Sequence, residues 1–374
     1  MPALLSQPDP DGLLEYSVVY TDRALNHMSQ RFQGVMRDIS RIVKAAYGAQ
    51  ATVVVPGGGT YGMEAVARQF AGGKKCLVIR NGWFGFRWSQ IFEMGGIPSE
   101  CRVMKARPQG AGPKAPFTPA PLDEVLAAIR DWRPDLVFAP HVETASGMIL
   151  PDAYLKAVGE AVRAVGGLFV LDCVASGAVW VSMAETAVDV LISAPQKGWS
   201  GPSCAALVAL NERALARLET TTSSSFSCDL KKWHQIMQAY ENGGHMYHAT
   251  MPTDALAAVR DAMRETESRG FAAVCAAQWD LGRRVRALLE SRGFASVAAP
   301  GFQAPGVVVS YTDDPEIQNA RKFLAAGIQS AAGVPLQCDE PADFRSFRIG
   351  LFGLDKLSDP VAATARLEKA LESF

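Results

Sequence analysis

Over the first 210 residues, apolar runs rich in β-branched side chains alternate with segments of helical periodicity. The runs lie at 51–55, 76–80, 136–139, 168–172, 188–193 and 204–210, and the helical segments at 60–71, 84–94, 122–131 and 152–165. Parallel strands need a crossover between neighbours, and an intervening helix supplies it. The runs are almost continuously apolar, as expected of strands covered by helices on both faces. The alternation therefore predicts an α/β domain built on a mainly parallel sheet. At 374 residues the chain is long enough for that domain and a second, smaller unit.

The pattern changes near Thr250. Residues 254–292 read as strongly helical, with Leu281, Val285, Leu288 and Leu289 on one face and Gly293 as a stop. A strand at 307–311, a helix at 315–325, a strand at 347–351 and a terminal helix at 360–371 follow. This second unit reads as α+β. The expected organisation is an N-terminal arm at 1–30, a large domain at 31–262 and a small C-terminal domain at 263–374. A polar loop at 220–227 and a Pro/Gly-rich crossing at 109–121 interrupt the regular elements.

Bulk properties narrow the function. The net charge is −1 and there is no long basic run, which speaks against nucleic acid or an anionic membrane as a partner. No apolar stretch is long enough to span a bilayer, and residues 1–10 lack the basic and apolar regions of a signal peptide. Seven cysteines occur without a CxxC pair, which points to a reducing, cytoplasmic setting. His245 and His248 have no acidic or cysteine partner at metal-ligand spacing, so no metal is expected.

Three segments carry chemistry. In the first, a strand runs into Gly57-Gly58-Gly59-Thr60 and then a helix, a turn suited to holding a phosphate with bare N–H groups and a helix N-terminus. Gly57, Gly59 and Gly62 also match the dinucleotide pattern. That reading expects an acidic residue at the end of the second strand, and Arg80 stands there, which fits NADP at best. In the second, the run 168–172 ends on Asp172. In the third, Ser193-Ala-Pro-Gln196-Lys197-Gly-Trp delivers a lysine from a strand into a tight turn. Alone, such an aspartate is commonly a cap and such a lysine a solvated loop residue. On successive strand ends the two supply what pyridoxal phosphate needs: a carboxylate to keep the pyridine nitrogen protonated and an amine to carry the aldehyde. Desolvation lowers the lysine pKa and favours Schiff-base formation.

With these residues in view, the chain resembles the class V aminotransferases of pyridoxal-phosphate fold type I, near the serine–pyruvate and alanine–glyoxylate aminotransferases. Seven segments carry the likeness in order. Gly58, Gly59 and Thr60 match the family's phosphate turn. Asn81-Gly-Trp-Phe84-Gly matches the segment whose aromatic stacks on the cofactor ring. His141-Val-Glu-Thr144-Ala-Ser-Gly147 matches a motif whose hydroxyl residue touches the ring oxygen. Asp172-Cys-Val174-Ala-Ser matches Asp-x-Val-x-Ser, and Ser193 to Lys197 match Ser-x-x-Gln-Lys, with Gln196 and Lys197 implied at the cofactor. Tyr247-His-Ala-Thr250-Met-Pro matches a loop that reaches the phosphate of the neighbouring subunit, and Arg348-Ile-Gly matches the strand whose arginine grips the substrate carboxylate. The resemblance implies a homodimer with shared active sites, Lys197 and Asp172 as catalytic residues, and amino transfer from a small, alanine- or serine-like amino acid to a glyoxylate- or pyruvate-like 2-oxo acid.

Departures from the family bear on the substrate. The N-terminal Gly-Pro-Gly-Pro is absent, and Asn26-His27-Met28-Ser29 stands where Gly-His-Arg-Ser is usual. Tyr20, Arg23 and His27 either line the pocket or, for Arg23 with Arg31, are surface charge. His141 has two readings as well: a ring stacker, as in the related cysteine desulfurases, or a structural histidine with Phe84 as the stacker. Phe84 is the preferred reading. Cys338 resembles the mobile nucleophile of the desulfurases, but the adjacent Asp339 and Glu340 would raise its pKa. Gln196 stands where desulfurases generally have histidine. The alternatives to a transaminase are a lyase or desulfurase on the same fold, which would need Cys338, and an NADP oxidoreductase.

Overall fold

A computed structural model describes residues 11–372. The N-terminal stretch in which a signal peptide was sought, residues 1–10, lies outside the described residues. The main sheet has seven strands: β1 (Ala51–Pro56), β2 (Lys75–Arg80), β3 (Glu100–Lys105), β4 (Leu136–Pro140), β5 (Leu168–Asp172), β6 (Val190–Ser193) and β7 (Ala205–Leu210). Their spatial order is β1-β7-β6-β5-β4-β2-β3. Strands β6, β5, β4, β2 and β3 run parallel to their neighbours, while β7 is antiparallel to both β1 and β6. The sheet is therefore mainly parallel, as the alternation predicts, and this is the fold class read from the sequence.

Apolar side chains decide where the strands sit. Every residue of β4, β5, β6 and β7 is buried. Helices α1 (Gln30–Tyr47), α2 (Gly59–Phe70), α3 (Trp83–Gly95), α4 (Leu122–Trp132) and α5 (Asp152–Ala164) cover the faces. Helix α2 approaches closely because Gly62 has no side chain: a Cβ there would lie 2.5 Å from Ala206 Cβ and 3.0 Å from Ile192 Cγ2. That approach seats the start of α2 beside the ends of β6 and β7.

Several elements differ from the sequence reading. Strand β3 was not anticipated because it is an edge strand with a mixed Glu-Cys-Arg-Val-Met-Lys sequence and exposed first half. Helix α1 was also missed, although Ser29 caps it by accepting the Phe32 N–H at 3.1 Å and Gly48 ends it at φ 68°. The helical stretch at 254–292 is two helices, α6 (Thr253–Arg269) and α7 (Phe271–Ser291), broken at Gly270 with φ 84°. The helix at 315–325 is likewise two short ones, Pro315–Gln318 and Arg321–Ala325, separated by Ala320 at φ 67°.

The second sheet comprises β8 (Val307–Tyr311), β9 (Ala331–Ala332) and β10 (Ser346–Gly350), antiparallel in the order β8-β10-β9. Its core joins Val308, Phe347 and Ile349 to Val274, Leu281, Val285 and Leu289 of α7. Position 262/263, the expected domain division, falls inside α6, and α6 is tied to α1 by Arg41–Glu267 and Arg260–Asp38 ion pairs.

At the strand ends opposite Asp172 and Ser193, Asp189 locks β5, β6 and β7 together. Its fully buried carboxylate accepts from Arg213 Nη1 at 2.8 Å, Asn211 Nδ2 at 2.8 Å and the Phe169 N–H at 2.9 Å. Asp189→Ala removes the acceptor these donors share and strands the buried Phe169 N–H, while Asn211 keeps the Val188 carbonyl and the half-buried Arg213 the Gly167 carbonyl, so the cost falls to about 1–3 kcal/mol. Urea unfolding of the variant should show a loss of that order, whereas Glu160→Ala on the exposed face of α5 should change stability by under about 0.5 kcal/mol.

Candidate active site

Strand register brings the first two candidates together. Asp172, the last residue of β5, is level with Ile192 of β6 and Pro140 of β4. Its main chain is gripped from both sides: the His141 N–H donates to its carbonyl at 2.8 Å, and the following Cys173 N–H donates to the Ile192 carbonyl at 2.7 Å. Its carboxylate is buried and accepts the Val174 N–H at 2.9 Å. Burial raises its pKa from 3.8 to about 6, opposed by that N–H and then by the Arg87 and Lys197 cations.

Lys197 follows β6 by four residues in a braced turn. Trp199 is wholly buried and donates to Ser193 Oγ at 3.1 Å, and Tyr47 of α1 donates to the same oxygen at 3.1 Å. The Ser200 N–H returns to the Lys197 carbonyl at 3.1 Å, with Ser200 at φ 58°. The lysine Nζ lies 5.1 Å from the centre of the Phe352 ring. Burial lowers its pKa, the Arg348 charge lowers it further, and Asp172 opposes both. Gln196 beside it is exposed.

The glycine turn lies alongside. Gly57 adopts φ 121° and its N–H donates to the Cys204 carbonyl at 2.8 Å. Helix α2 starts at Gly59 with no side-chain cap, so its first N–H groups keep their hydrogen-bonding capacity. Gly59 packs on Val174, where a Cβ would come within 2.5 Å of Val174 Cγ2. Thr60 Oγ1 accepts from Arg87 Nη1 at 2.9 Å.

A single buried carboxylate ties the aromatic segment to the hydroxyl segment. Glu143 accepts the N–H of Phe84 at 3.3 Å, of Gly85 at 2.8 Å and of Ala145 at 2.9 Å. It thus holds the start of α3, where Phe84 sits, next to Thr144, which is buried. Burial raises the Glu143 pKa to about 7, with the three N–H groups opposing. His141 is 1% exposed, its Nδ1 is 2.7 Å from Ser176 Oγ, and burial lowers its pKa to about 3, which keeps the imidazole neutral.

Arg348 extends from β10, level with Val309 and Ala331, and donates from Nε to the Ala332 carbonyl at 2.8 Å. Burial lowers its pKa and the Glu143 charge opposes. Cys338 is 3% exposed, with Sγ 3.4 Å from the Arg80 carbonyl. Its pKa is pushed up to about 12, first by burial and then by Glu143 and Glu340. Asp339 instead pairs with Lys105 at 2.6 Å, so one of the two acids expected to act on the thiol is engaged elsewhere.

The chain does not bring every candidate to this place. Tyr247 and Thr250 share a hydrogen bond at 3.0 Å on an exposed stretch. Among the described residues neither bonds to the glycine turn, Asp172 or Lys197. His27 is buried, 5.6 Å from the Tyr247 ring, 5.8 Å from the His245 ring and 5.5 Å from the Tyr20 ring, and Tyr20 donates to the Met251 carbonyl at 3.0 Å. Arg23 is exposed. Among the described residues no group of three or more His, Cys, Asp or Glu is placed to hold a metal ion, and no helix is long and apolar enough to cross a membrane. Sequence reasoning missed Arg87, Glu143 and Phe352 as members of the site. The signals were present: Arg87 is one helical turn after Phe84, Glu143 precedes Thr144, and Phe352 is four residues after Arg348.

No family model matches the chain. It is 27% identical over 376 residues to a soluble hydrogenase small subunit of Synechococcus sp., covering 99% of this chain and 93% of that one. It is 27% identical over 340 residues to a 2-aminoethylphosphonate–pyruvate transaminase of Burkholderia ambifaria, covering 89% and 86%. Its fold matches the crystal structure of an alanine–glyoxylate aminotransferase from Nostoc sp. with a TM-score of 0.77 and 24% identity, covering 92% and 88%. The resemblance to class V aminotransferases therefore extends over nearly the whole chain in both sequence and fold.

Burial of Asp172 makes a testable statement about stability. Its folded pKa lies above the unfolded value, so the folded state binds the proton more tightly between about pH 4 and 6. The buried charge then costs stability fully above about pH 6 and not at all below 3.8. Asp172→Asn keeps an oxygen for the Val174 N–H and removes the charge. The cofactor-free variant should be more stable than the cofactor-free wild type at pH 7.5, by up to about 2–3 kcal/mol, and the gain should fade toward pH 4. Chemical denaturation at pH 4.5, 6 and 7.5 reads the difference.

Proposed function

We propose that the chain is a pyridoxal-phosphate-dependent aminotransferase that moves the amino group of a small amino acid to a small 2-oxo acid. The observation that carries this reading is the buried Asp172 beside a desolvated Lys197, with Arg348 close enough to lower the lysine pKa further. The donor set fits the cofactor. An uncapped helix start and the Thr60 hydroxyl suit a phosphate, a buried carboxylate suits a protonated ring nitrogen, and a lysine with a lowered pKa suits an aldehyde. When bound, the cofactor supplies a ring that accepts the electron pair left on the substrate Cα.

The chain's own residues do the rest. Gly58, Gly59 and Thr60 hold the phosphate. Phe84 would stack on the ring, Val174 and Gln196 would border it, and Thr144 would bind its oxygen. Asp172 keeps a negative charge at the ring nitrogen in a site dry enough for that charge to act strongly. Lys197 Nζ would take the proton from the substrate Cα and deliver it to the carbon that had carried the aldehyde, which requires a neutral amine and hence the lowered pKa. Arg348 binds the carboxylate of donor and acceptor in turn, by a two-pronged, charge-assisted contact. His141, neutral and bonded to Ser176, is a structural support in this reading.

The site is shared between two copies. Tyr247 and Thr250 point to it as the pair that reaches the partner's phosphate, since they stand exposed and away from their own chain's turn. Leu13, Leu14, Tyr16 and Val18 are also exposed, from 66% to 102%, an apolar stretch that a second copy would cover. The N-terminal arm ends near residue 30, the large domain runs to residue 262 and the small domain begins at residue 263, within α6. Seven free cysteines favour a cytoplasmic location.

Two other chemistries have less support. A desulfurase needs a reactive thiol, and Cys338 is buried with its pKa pushed up to about 12. Among the described residues no cluster of metal-ligating side chains stands as a counterpart to the hydrogenase named among the relatives. The test is to mix the cofactor-loaded protein with alanine, serine or 2-aminoethylphosphonate and follow conversion of the visible spectrum to the aminated form. Glyoxylate or pyruvate should then restore the original spectrum. Absence of conversion with any small amine donor would contradict the reading. Arg348→Ala should reduce kcat/KM for carboxylate substrates by a factor equivalent to about 2–4 kcal/mol, and Arg348→Lys should recover part of it.

A further inference from the structure

Arg87 touches two of the groups assigned above to the cofactor and acts on a third through its charge. It lies one turn into α3, and its guanidinium carbon is 4.9 Å from the centre of the Phe84 ring. Its Nη1 donates to Thr60 Oγ1 at 2.9 Å, across the gap between α3 and the start of α2. Its charge also acts on Asp172, ahead of that of Lys197. Among the described residues Arg87 makes no ion pair within 4 Å, and its charge reaches the Asp172 carboxylate without direct contact.

The glycine turn has a complementary deficiency. Gly58, Gly59 and Thr60 offer backbone N–H groups and one hydroxyl, all neutral. A phosphate monoester carries about −1.5 to −2 charge near pH 7. Neutral donors satisfy its oxygens but leave most of that charge uncompensated. The other two cations of the site have separate tasks, Lys197 at the aldehyde and Arg348 at the substrate carboxylate. A planar guanidinium already hydrogen-bonded to the turn's own hydroxyl is the group positioned to supply the missing charge.

Resting on the cofactor reading above, we propose that Arg87 is a phosphate-binding residue, a cation that Thr60 orients toward the turn and that Phe84 supports from below. Two roles must be separated: charge delivered to the phosphate, and support of the Phe84 ring. Pyridoxal lacks the phosphate but keeps the ring and aldehyde, so comparing it with pyridoxal phosphate divides them.

Full-length protein is stripped of cofactor and retitrated with each compound, with binding read by visible absorbance and tryptophan fluorescence. Arg87→Met keeps an apolar stem against Phe84 and removes the charge. It should weaken pyridoxal phosphate on the order of 10- to 100-fold, the size of a lost hydrogen bond to a charged group. Pyridoxal affinity should stay within about twofold. Arg87→Lys should recover part of the phosphate-dependent loss, and it serves as the second variant if Arg87→Met does not fold. Added salt should weaken pyridoxal phosphate more in wild type than in Arg87→Met. Equal losses for both compounds would overturn the proposal and make Arg87 a prop for Phe84. Unchanged affinity for both would overturn it as well. A wild type that binds neither compound would instead overturn the cofactor reading on which the proposal rests.

Discussion

Burial of one carboxylate beside one amine, at the ends of adjacent parallel strands, is the constraint on which the site depends. Desolvation pushes Asp172 and Lys197 toward their neutral forms, and their mutual attraction only partly restores the charges. An amine that loses its proton easily and a carboxylate that gains one easily are poorly suited to stabilising a fold. They are suited to a ligand that draws on both, the amine by giving up its proton and the carboxylate by keeping its charge against a cationic partner. The protein holds this unfavourable arrangement with apolar strands β4 to β7 and with the Tyr47–Ser193–Trp199 brace.

Around that pair, each further feature solves a positioning problem. Gly62 lets α2 approach the sheet, so the helix start points at the strand ends. Glu143 binds the N–H groups of Phe84, Gly85 and Ala145 and so fixes the start of α3 beside Thr144. Antiparallel pairing of β10 with β8 and β9 carries Arg348 in from the smaller sheet. Phe352, four residues on and just past the end of β10, lies with its ring centre 5.1 Å from Lys197 Nζ, so the segment that follows Arg348 borders the lysine.

Much of this was legible in the sequence, for identifiable reasons. Strands buried on both faces must be apolar throughout, and β1, β2, β4, β5, β6 and β7 announce themselves that way. Edge strand β3 obeys no such rule and could not be seen. Gly270 and Ala320 break helices through positive φ, and periodicity alone does not register a one-residue break. Asp172 and Lys197 were legible because strand ends are marked by where apolar runs stop. Arg87 and Glu143 were not, because their importance lies in contacts across 27 and 59 residues of chain. The burial of Cys338 could be weighed in the sequence only through its acidic neighbours, whereas desolvation proves the larger influence.

The same fold supports several chemistries, so architecture alone does not choose among them. The proposed chemistry starts from Lys197 as the carrier of the cofactor, and that assignment can be read directly. Reducing the cofactor-loaded protein with borohydride would fix the cofactor to its lysine, and peptide mapping by mass spectrometry would locate it. The account predicts a single modified peptide with the added mass on Lys197. Modification of a different lysine, or none on a protein that retains its visible spectrum, would contradict it.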